Sequence, residues 1–225
     1  MRGLARSSNI PPSILLWGLI LLPILIETVL QAADLGLLGS PLWRGLAYQN
    51  GAFWVGLLHN WRPNYPGQSV TMFLSYAFLH SGIGHLSGNM LSLFLLGRRL
   101  IERLGTWRFL GLYFTSGLGG GVGFGLLSQS PHPMIGASGA LFGLAGAWIC
   151  LEAAERRKLD MALWPIFGVV LGLVLLNALM WLALDGVLAW ETHLGGFVAG
   201  AAYAAIQARW HGIKPKRAAP RIRGK

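Results

Sequence analysis

The chain has 225 residues, of which 54% are hydrophobic and only 12% are charged, and its formal net charge is +10. Because a soluble domain carries about 25% charged residues, this composition excludes an ordinary soluble globular protein and indicates a polytopic membrane protein. The single cysteine, Cys150, excludes a disulfide framework within one chain.

Six apolar segments predict an all-α, six-transmembrane-helix bundle. The first covers residues 14–33 and is long enough to cross a hydrocarbon core of about 30 Å. The other five lie within 82–97, within 109–127, and over 139–151, 161–184 and 192–208. The predicted organisation is a cytoplasmic N-terminal segment (1–12), a six-span domain (13–209) and a basic cytoplasmic tail (210–225).

The first span has one alternative interpretation. Arg2 and Arg6 precede its apolar run, which ends in the small residues Ala32 and Ala33, as in a secretory signal peptide with its cleavage site. The run is long for the apolar region of a signal peptide, and this length favours a membrane span.

The distribution of the cations predicts the orientation. Sixteen of the 18 lysines and arginines lie before span one, between spans two and three, between spans four and five, or after span six. Only Arg44 and Arg62 lie on the other side of the membrane. By the positive-inside rule, both termini are cytoplasmic, and the expected location is a bacterial plasma membrane. The basic charge therefore indicates contact with anionic membrane lipid and no nucleic-acid partner.

The long outer connection, residues 34–79, is rich in aromatic residues and poor in charges. This composition is typical of a segment that lies in the membrane interface. The apolar stretch 70–80 at its end is expected to be partly embedded.

Ser138 opens the fourth predicted span, in the stretch Gly-Ala-Ser-Gly (136–139). The apolar part of this span is short, about 20 Å of helix, so its outer end is expected to stop below the membrane surface. Irregular backbone at that depth is tolerated only around protein or a water-filled cavity. Ser138 is therefore a candidate nucleophile in a recessed, hydrated site; the alternative is a simple helix N-cap.

His193 opens the sixth span and shares a helical face with Gly196 and Gly200. Small residues on that face allow close packing against the glycines of span four. Such packing would place His193 beside Ser138, where a neutral imidazole accepts the serine proton. The alternative role of His193 is an ordinary interhelical hydrogen bond.

His85 and Asn89 lie four residues apart on one face of span two. Their side chains could donate hydrogen bonds to an oxyanion; the alternative is a buried polar pair whose members satisfy each other. His80 and His85 lie on different faces, and no third ligand has zinc-like spacing, so we expect neither a metal site nor a cofactor.

No carboxylate is well placed to orient His193, because Glu191 points to another face and Asp185 lies in a loop. The sequence therefore predicts a Ser–His dyad. Phe142, one turn after Ser138, is a candidate to stack on the imidazole ring, or it is ordinary core packing. The small residues Gly136, Ala137 and Gly139 are expected to leave room for a substrate backbone.

The chain resembles the rhomboid family of intramembrane serine proteases from about Phe53 to Ala208. Three motifs carry the resemblance: Gly-Ala-Ser-Gly at 136–139, His-Leu-Ser-Gly-Asn at 85–89 and His-Leu-Gly-Gly-Phe-Val-Ala-Gly at 193–200.

The resemblance implies that Ser138 is the nucleophile and His193 the general base. It further implies that Asn89, His85 and the Ser138 backbone N–H stabilise the oxyanion, and that the substrates are transmembrane proteins. Thr71 and Met72 stand where many members carry a Trp-Arg pair, so the anchoring of the outer connection differs here.

Two alternatives remain at this stage. One is a catalytically silent rhomboid-like protein that binds transmembrane segments; the other is a small transporter. Glu27 and Asn177 are isolated polar residues within spans one and five, too few to line a transport path. The sequence indicates neither a particular substrate nor an oligomeric state.

Overall fold

The structure of the protein, a computed structural model, describes residues 12–211, and the regular secondary structure of that range is helical. The α-helices are α1 (Pro12–Asp34), α2 (Trp43–Gly51), α3 (Gln68–Ser75), α4 (Ile83–Leu104), α5 (Thr106–Leu127), α6 (Ser138–Lys158), α7 (Trp164–Ala183) and α8 (Trp190–His211). Short 3₁₀ turns at Val55–Leu58 and Tyr76–Phe78 flank α3. The predicted all-α class is confirmed. Residues 1–11 and 212–225, with the predicted N-terminal cations and most of the basic tail, lie outside the described range.

Six long helices correspond to the six predicted spans. By length and composition, α1, α5 and α7 are each apolar enough to cross a membrane. Helices α4, α6 and α8 have 21 or 22 residues but carry more charged, polar or small residues. The helices that depart from a simple lipid-spanning composition are the ones that carry the candidate site residues.

The helix that carries the predicted fourth span is longer than the apolar part of that span. Helix α6 has 21 residues because it continues past its apolar part through Glu152, Glu155 and Arg156. Arg103, in the last turn of α4, lies 2.7 Å from Glu155, and Arg156 lies 3.1 Å from Glu152. The Arg103–Glu155 pair joins the C-terminal ends of α4 and α6, and the Arg156–Glu152 pair lies within α6.

The centre of the bundle is built from glycine contacts between α6 and α8. A Cβ atom at Gly196 would overlap the carbonyl of Gly139, and one at Gly200 would overlap the carbonyl of Gly143. The two helices therefore approach until backbone meets backbone, as small residues permit in lipid. The structure thus brings together the faces of α6 and α8 that the glycine spacing indicates.

The outer connection is anchored by Arg44, at the start of α2. Its guanidinium lies 2.9 Å from Glu27 of α1, whose side chain is only 2% exposed, and 2.6 Å from Asp34. It also donates to the backbone carbonyl of His80, as does the Tyr48 hydroxyl. The hydrogen bond to Glu27 raises the pKa of Arg44 above its usual value, so the guanidinium stays protonated. Glu27 is therefore the partner of an outer-loop cation.

Thr71 and Met72 are uncharged, and they stabilise the outer connection through a hydrogen bond and through packing. The Thr71 hydroxyl lies 2.7 Å from the Tyr65 hydroxyl. Met72 is fully buried and packs with Phe53 and Tyr76 in a small core beneath the connection.

Helix α7 is the least embedded of the long helices. None of its residues is buried within the protein. Its half-buried residues recur at helical spacing along one stripe, which contains Ile166, Val170, Leu173 and Asn177. Helix α7 therefore touches the bundle along one narrow face.

We expect Gly200→Ala to destabilise the protein by about 1–3 kcal/mol, because the added methyl group overlaps the Gly143 carbonyl. The matched control is Gly172→Ala in α7, where nothing lies within 4 Å of the added atom. Alanine is the better helix former, so the control should be neutral or slightly stabilising. Thermal unfolding in detergent compares the two, and equal melting temperatures would contradict the packing argument.

We expect Arg44→Met to cost on the order of 3–5 kcal/mol, because it leaves the Glu27 carboxylate buried without its cation. Arg62→Met removes an exposed arginine from the same connection and serves as the control. Unfolding free energies measured in bicelles should fall for the first variant only. An Arg44→Met protein as stable as the control would show that the ion pair does not anchor the connection.

Candidate active site

Ser138 is the first residue of α6, and its position depends on the backbone before it. Gly136 has φ +111°, a conformation that side chains rarely adopt, and its N–H donates to the Tyr76 carbonyl. Ala137 occupies the cap position and makes no side-chain cap hydrogen bond. The N-cap interpretation of Ser138 is therefore wrong, because its hydroxyl is directed to another partner.

That partner is His193, near the start of α8. The Ser138 Oγ lies 2.8 Å from the His193 Nε2, across 55 positions of sequence. His193 is only 6% exposed, whereas Ser138 is half-buried. The structure thus brings a hydroxyl and a sequestered imidazole into hydrogen-bonding contact.

The ring of Phe142 lies parallel to the His193 ring, with centroids 4.2 Å apart and an interplanar angle of 9°. Phe142 is one turn after Ser138 on α6, so a single helix presents both the hydroxyl and the aromatic face. The stack restricts the plane of the imidazole.

The second ring nitrogen of His193 has a partner that the sequence reasoning did not identify. Its Nδ1 lies 2.6 Å from the Oδ1 of Asn177 on α7. The Asn177 Nδ2 donates to the Leu173 carbonyl at 3.1 Å. Because the nitrogen of the amide is used there, its oxygen faces the histidine. The only sequence signal for this contact was a lone amide in an otherwise apolar helix.

Asn89 and His85 lie on α4, close to the backbone that precedes Ser138. The Asn89 Nδ2 donates to the backbone carbonyl of His85 at 2.8 Å, while the His85 Nδ1 lies 3.1 Å from the Ser81 hydroxyl. The two side chains therefore do not satisfy each other, and this alternative is wrong. A Cβ atom at Gly136 would stand 2.7 Å from the His85 Nε2, so that edge of the ring faces the Ser138 segment.

The small residues around Ser138 serve packing in this structure. His85 fills the space beside Gly136, and Tyr76 and Thr192 fill the space beside Gly139. Ala137 is fully buried. A role for these three positions in admitting a substrate backbone stays a prediction.

Within residues 12–211, no group of three His, Cys, Asp or Glu side chains is arranged to hold a metal ion. The chemistry available among the described site residues is thus that of a hydroxyl, an imidazole and amide donors. Such a set supports acyl transfer through a serine.

Comparisons with known proteins show what the chain is similar to. A sequence model described as the rhomboid domain matches residues 67–210, more than half of the chain. RHOMBOID-like protein 5 of Arabidopsis thaliana is 36% identical over 129 residues, which are 56% of this chain and 40% of that protein. Rhomboid protease GluP of Bacillus subtilis is 32% identical over 122 residues, 54% of this chain and 23% of that protein.

A mitochondrial relative, Rhomboid protein 1 of Saccharomyces cerevisiae, is 33% identical over 146 residues, 60% of this chain and 41% of that protein. The matched regions thus span less than half the length of these relatives. The matched domain contains α4–α8 and every candidate site residue. The chain belongs to the rhomboid family.

Proposed function

We propose that this chain is an intramembrane serine endopeptidase that cleaves peptide bonds in or near the transmembrane segments of membrane proteins. The 2.8 Å contact between the Ser138 hydroxyl and the His193 Nε2 is the observation that carries the proposal. A serine hydroxyl becomes an effective nucleophile when an adjacent base accepts its proton. The relative named Rhomboid protease GluP supports the same reaction class.

In the acylation step, the Ser138 Oγ attacks the substrate carbonyl carbon while its proton passes to the His193 Nε2. The carbonyl oxygen takes the negative charge of the tetrahedral intermediate. His193 then returns the proton to the leaving amine, and the C–N bond breaks to leave an ester on Ser138. Water enters from the outer side and attacks the ester carbon while His193 takes its proton; the acyl C–O bond then breaks as His193 returns that proton to the Ser138 Oγ.

Three donors are assigned to the oxyanion: the side chains of Asn89 and His85, and the backbone N–H of Ser138. As the first residue of α6, Ser138 has an N–H without an intrahelical acceptor, at the positive end of the helix dipole. Asn89 uses one amide hydrogen for the His85 carbonyl and keeps a second one.

A transmembrane substrate must unwind locally before Ser138 can attack, because a helix holds its carbonyls in hydrogen bonds. For the substrate backbone to approach at Gly136, Ala137 and Gly139, the side chains that fill the adjoining space, such as His85, must move. The proposed location is the plasma membrane with both termini cytoplasmic, supported by the cation distribution, and anionic lipid is the expected neighbour of the basic segments.

We expect a serine-reactive phosphonate probe to label the purified protein in detergent, and to label neither Ser138→Ala nor His193→Ala. The first variant lacks the nucleophile, and the second lacks the base that activates it, so turnover should fall by several orders of magnitude. Gel fluorescence of the labelled band measures the effect.

The matched controls are Ser92→Ala on α4 and His132→Ala in the exposed segment before α6, both of which should label like wild type. Equal labelling of Ser138→Ala and wild type would remove Ser138 as the nucleophile. An absence of labelling in all proteins would favour a silent protein that binds transmembrane segments.

We expect Asn89→Ala to lower turnover of a reconstituted single-pass substrate by about 10²–10³-fold, the usual cost of one oxyanion donor. Asn50→Ala is a close control, since the Asn50 amide donates to a backbone carbonyl four residues earlier, as Asn89 does, but lies on α2. Cleavage rates in proteoliposomes should separate the two. Full activity of Asn89→Ala would exclude it from the oxyanion site.

A further inference from the structure

Asn177 is a lone amide in a helix whose mean hydropathy is 2.4. It lies on the half-buried stripe of α7, in register with Val170 and Leu173. Burying a polar side chain in an apolar environment is costly unless both ends of it are hydrogen-bonded. Both ends of the Asn177 amide are hydrogen-bonded. Its Nδ2 donates to the Leu173 carbonyl within α7, and its Oδ1 contacts the His193 Nδ1 on α8.

We propose that Asn177 is a positioning residue, which fixes the tautomer and the in-plane direction of the His193 imidazole. This inference rests on the proposed function, because it concerns the base of that reaction. The sequence predicts a Ser–His dyad. With Asn177 the site is a hydrogen-bonded chain of Ser138, His193 and Asn177, whose third member is a neutral amide on a separate helix.

The tautomer follows from hydrogen-bond chemistry. An amide oxygen only accepts, so at 2.6 Å the His193 Nδ1 must carry the hydrogen and donate it to Asn177. In a neutral imidazole, the Nε2 is then unprotonated and free to accept the Ser138 proton. The opposite tautomer would present an N–H to the serine and could not act as its base.

The in-plane direction of the ring is set by hydrogen bonds, because the aromatic stack does not supply it. Phe142 lies parallel to the ring at 9°, and this contact holds the ring plane. A half-turn of the imidazole about its Cβ–Cγ bond keeps the same plane but exchanges Nδ1 with a carbon. Groups that distinguish a ring nitrogen from C–H oppose that turn: the Ser138 hydroxyl does so at Nε2, and the amide oxygen of Asn177 does so at Nδ1. A serine hydroxyl can donate or accept, so Asn177 is the partner that also selects the tautomer.

The function of Asn177 is tested by three variants. Asn177→Leu keeps the branching at Cγ but cannot accept a hydrogen bond, and Asn177→Asp keeps an accepting oxygen at the same place. Val170→Ala perturbs the same stripe two turns away. We expect kcat of Asn177→Leu to fall roughly 10- to 100-fold with little change in KM, as for a misplaced catalytic group. Asn177→Asp should retain most of the activity, and Val170→Ala should match wild type.

Stability separates positioning from a merely structural role. Leucine suits an apolar helix better than asparagine, so the melting temperature of Asn177→Leu should equal or exceed that of wild type while its kcat falls. A parallel fall in melting temperature and kcat, or an Asn177→Leu protein with wild-type kcat, would overturn the proposal.

A spectroscopic readout does not depend on catalysis. In protein labelled with ¹⁵N-histidine, the His193 signals, identified by their loss in His193→Ala, should show a protonated Nδ1 and a bare Nε2. In Asn177→Leu the two tautomers should mix. Unchanged tautomer signals in Asn177→Leu would overturn the proposal. A tautomer shift in a protein that fails to label with the phosphonate would instead support the Asn177 contact and reject the proposed protease.

Discussion

The site depends on the backbone contact between α6 and α8. Gly139 follows Ser138 directly, and Gly196 follows His193 by three residues, so the closest approach of the two helices lies immediately beside the Ser138–His193 pair. In lipid, this approach is stabilised by packing and not by exclusion of water. A side chain at Gly196 would overlap the Gly139 carbonyl and push the helices apart by more than the adjacent hydrogen bond tolerates. The same contact therefore determines the fold and places the hydroxyl against the imidazole.

The helices that carry the site residues differ in how firmly they are packed in the bundle. Helix α6 is fixed in its N-terminal half by the glycine contacts and near its C-terminal end by Arg103 of α4. Helix α7 has no buried residue, yet it supplies the Asn177 oxygen to the His193 Nδ1. A displacement of α7 by about 1 Å would break that bond. The orientation of the imidazole is thus linked to how α7 docks against the bundle.

Patterns within single helices could be predicted from the sequence, whereas contacts between helices were predicted only where small residues indicated them. The shared face of His193, Gly196 and Gly200 predicted the approach to α6. The Asn177 contact could not be predicted, because helical spacing states which residues share a face but not which helix that face meets. The Arg44–Glu27 pair was missed for the same reason, since it joins α1 to α2 across a connection. The charged end of α6 was missed because apolarity alone defined the span.

The outer connection and the site are joined by contiguous contacts. Arg44 and Tyr48 both donate to the His80 carbonyl, and the His80 ring meets the His85 ring edge-on at 5.0 Å. The Nε2 of His85 lies beside Gly136, two residues before Ser138. His85 is therefore held between the anchored connection and the backbone that presents the serine. Position 136 requires a glycine for two reasons: its φ is positive, and any side chain there would displace the His85 ring.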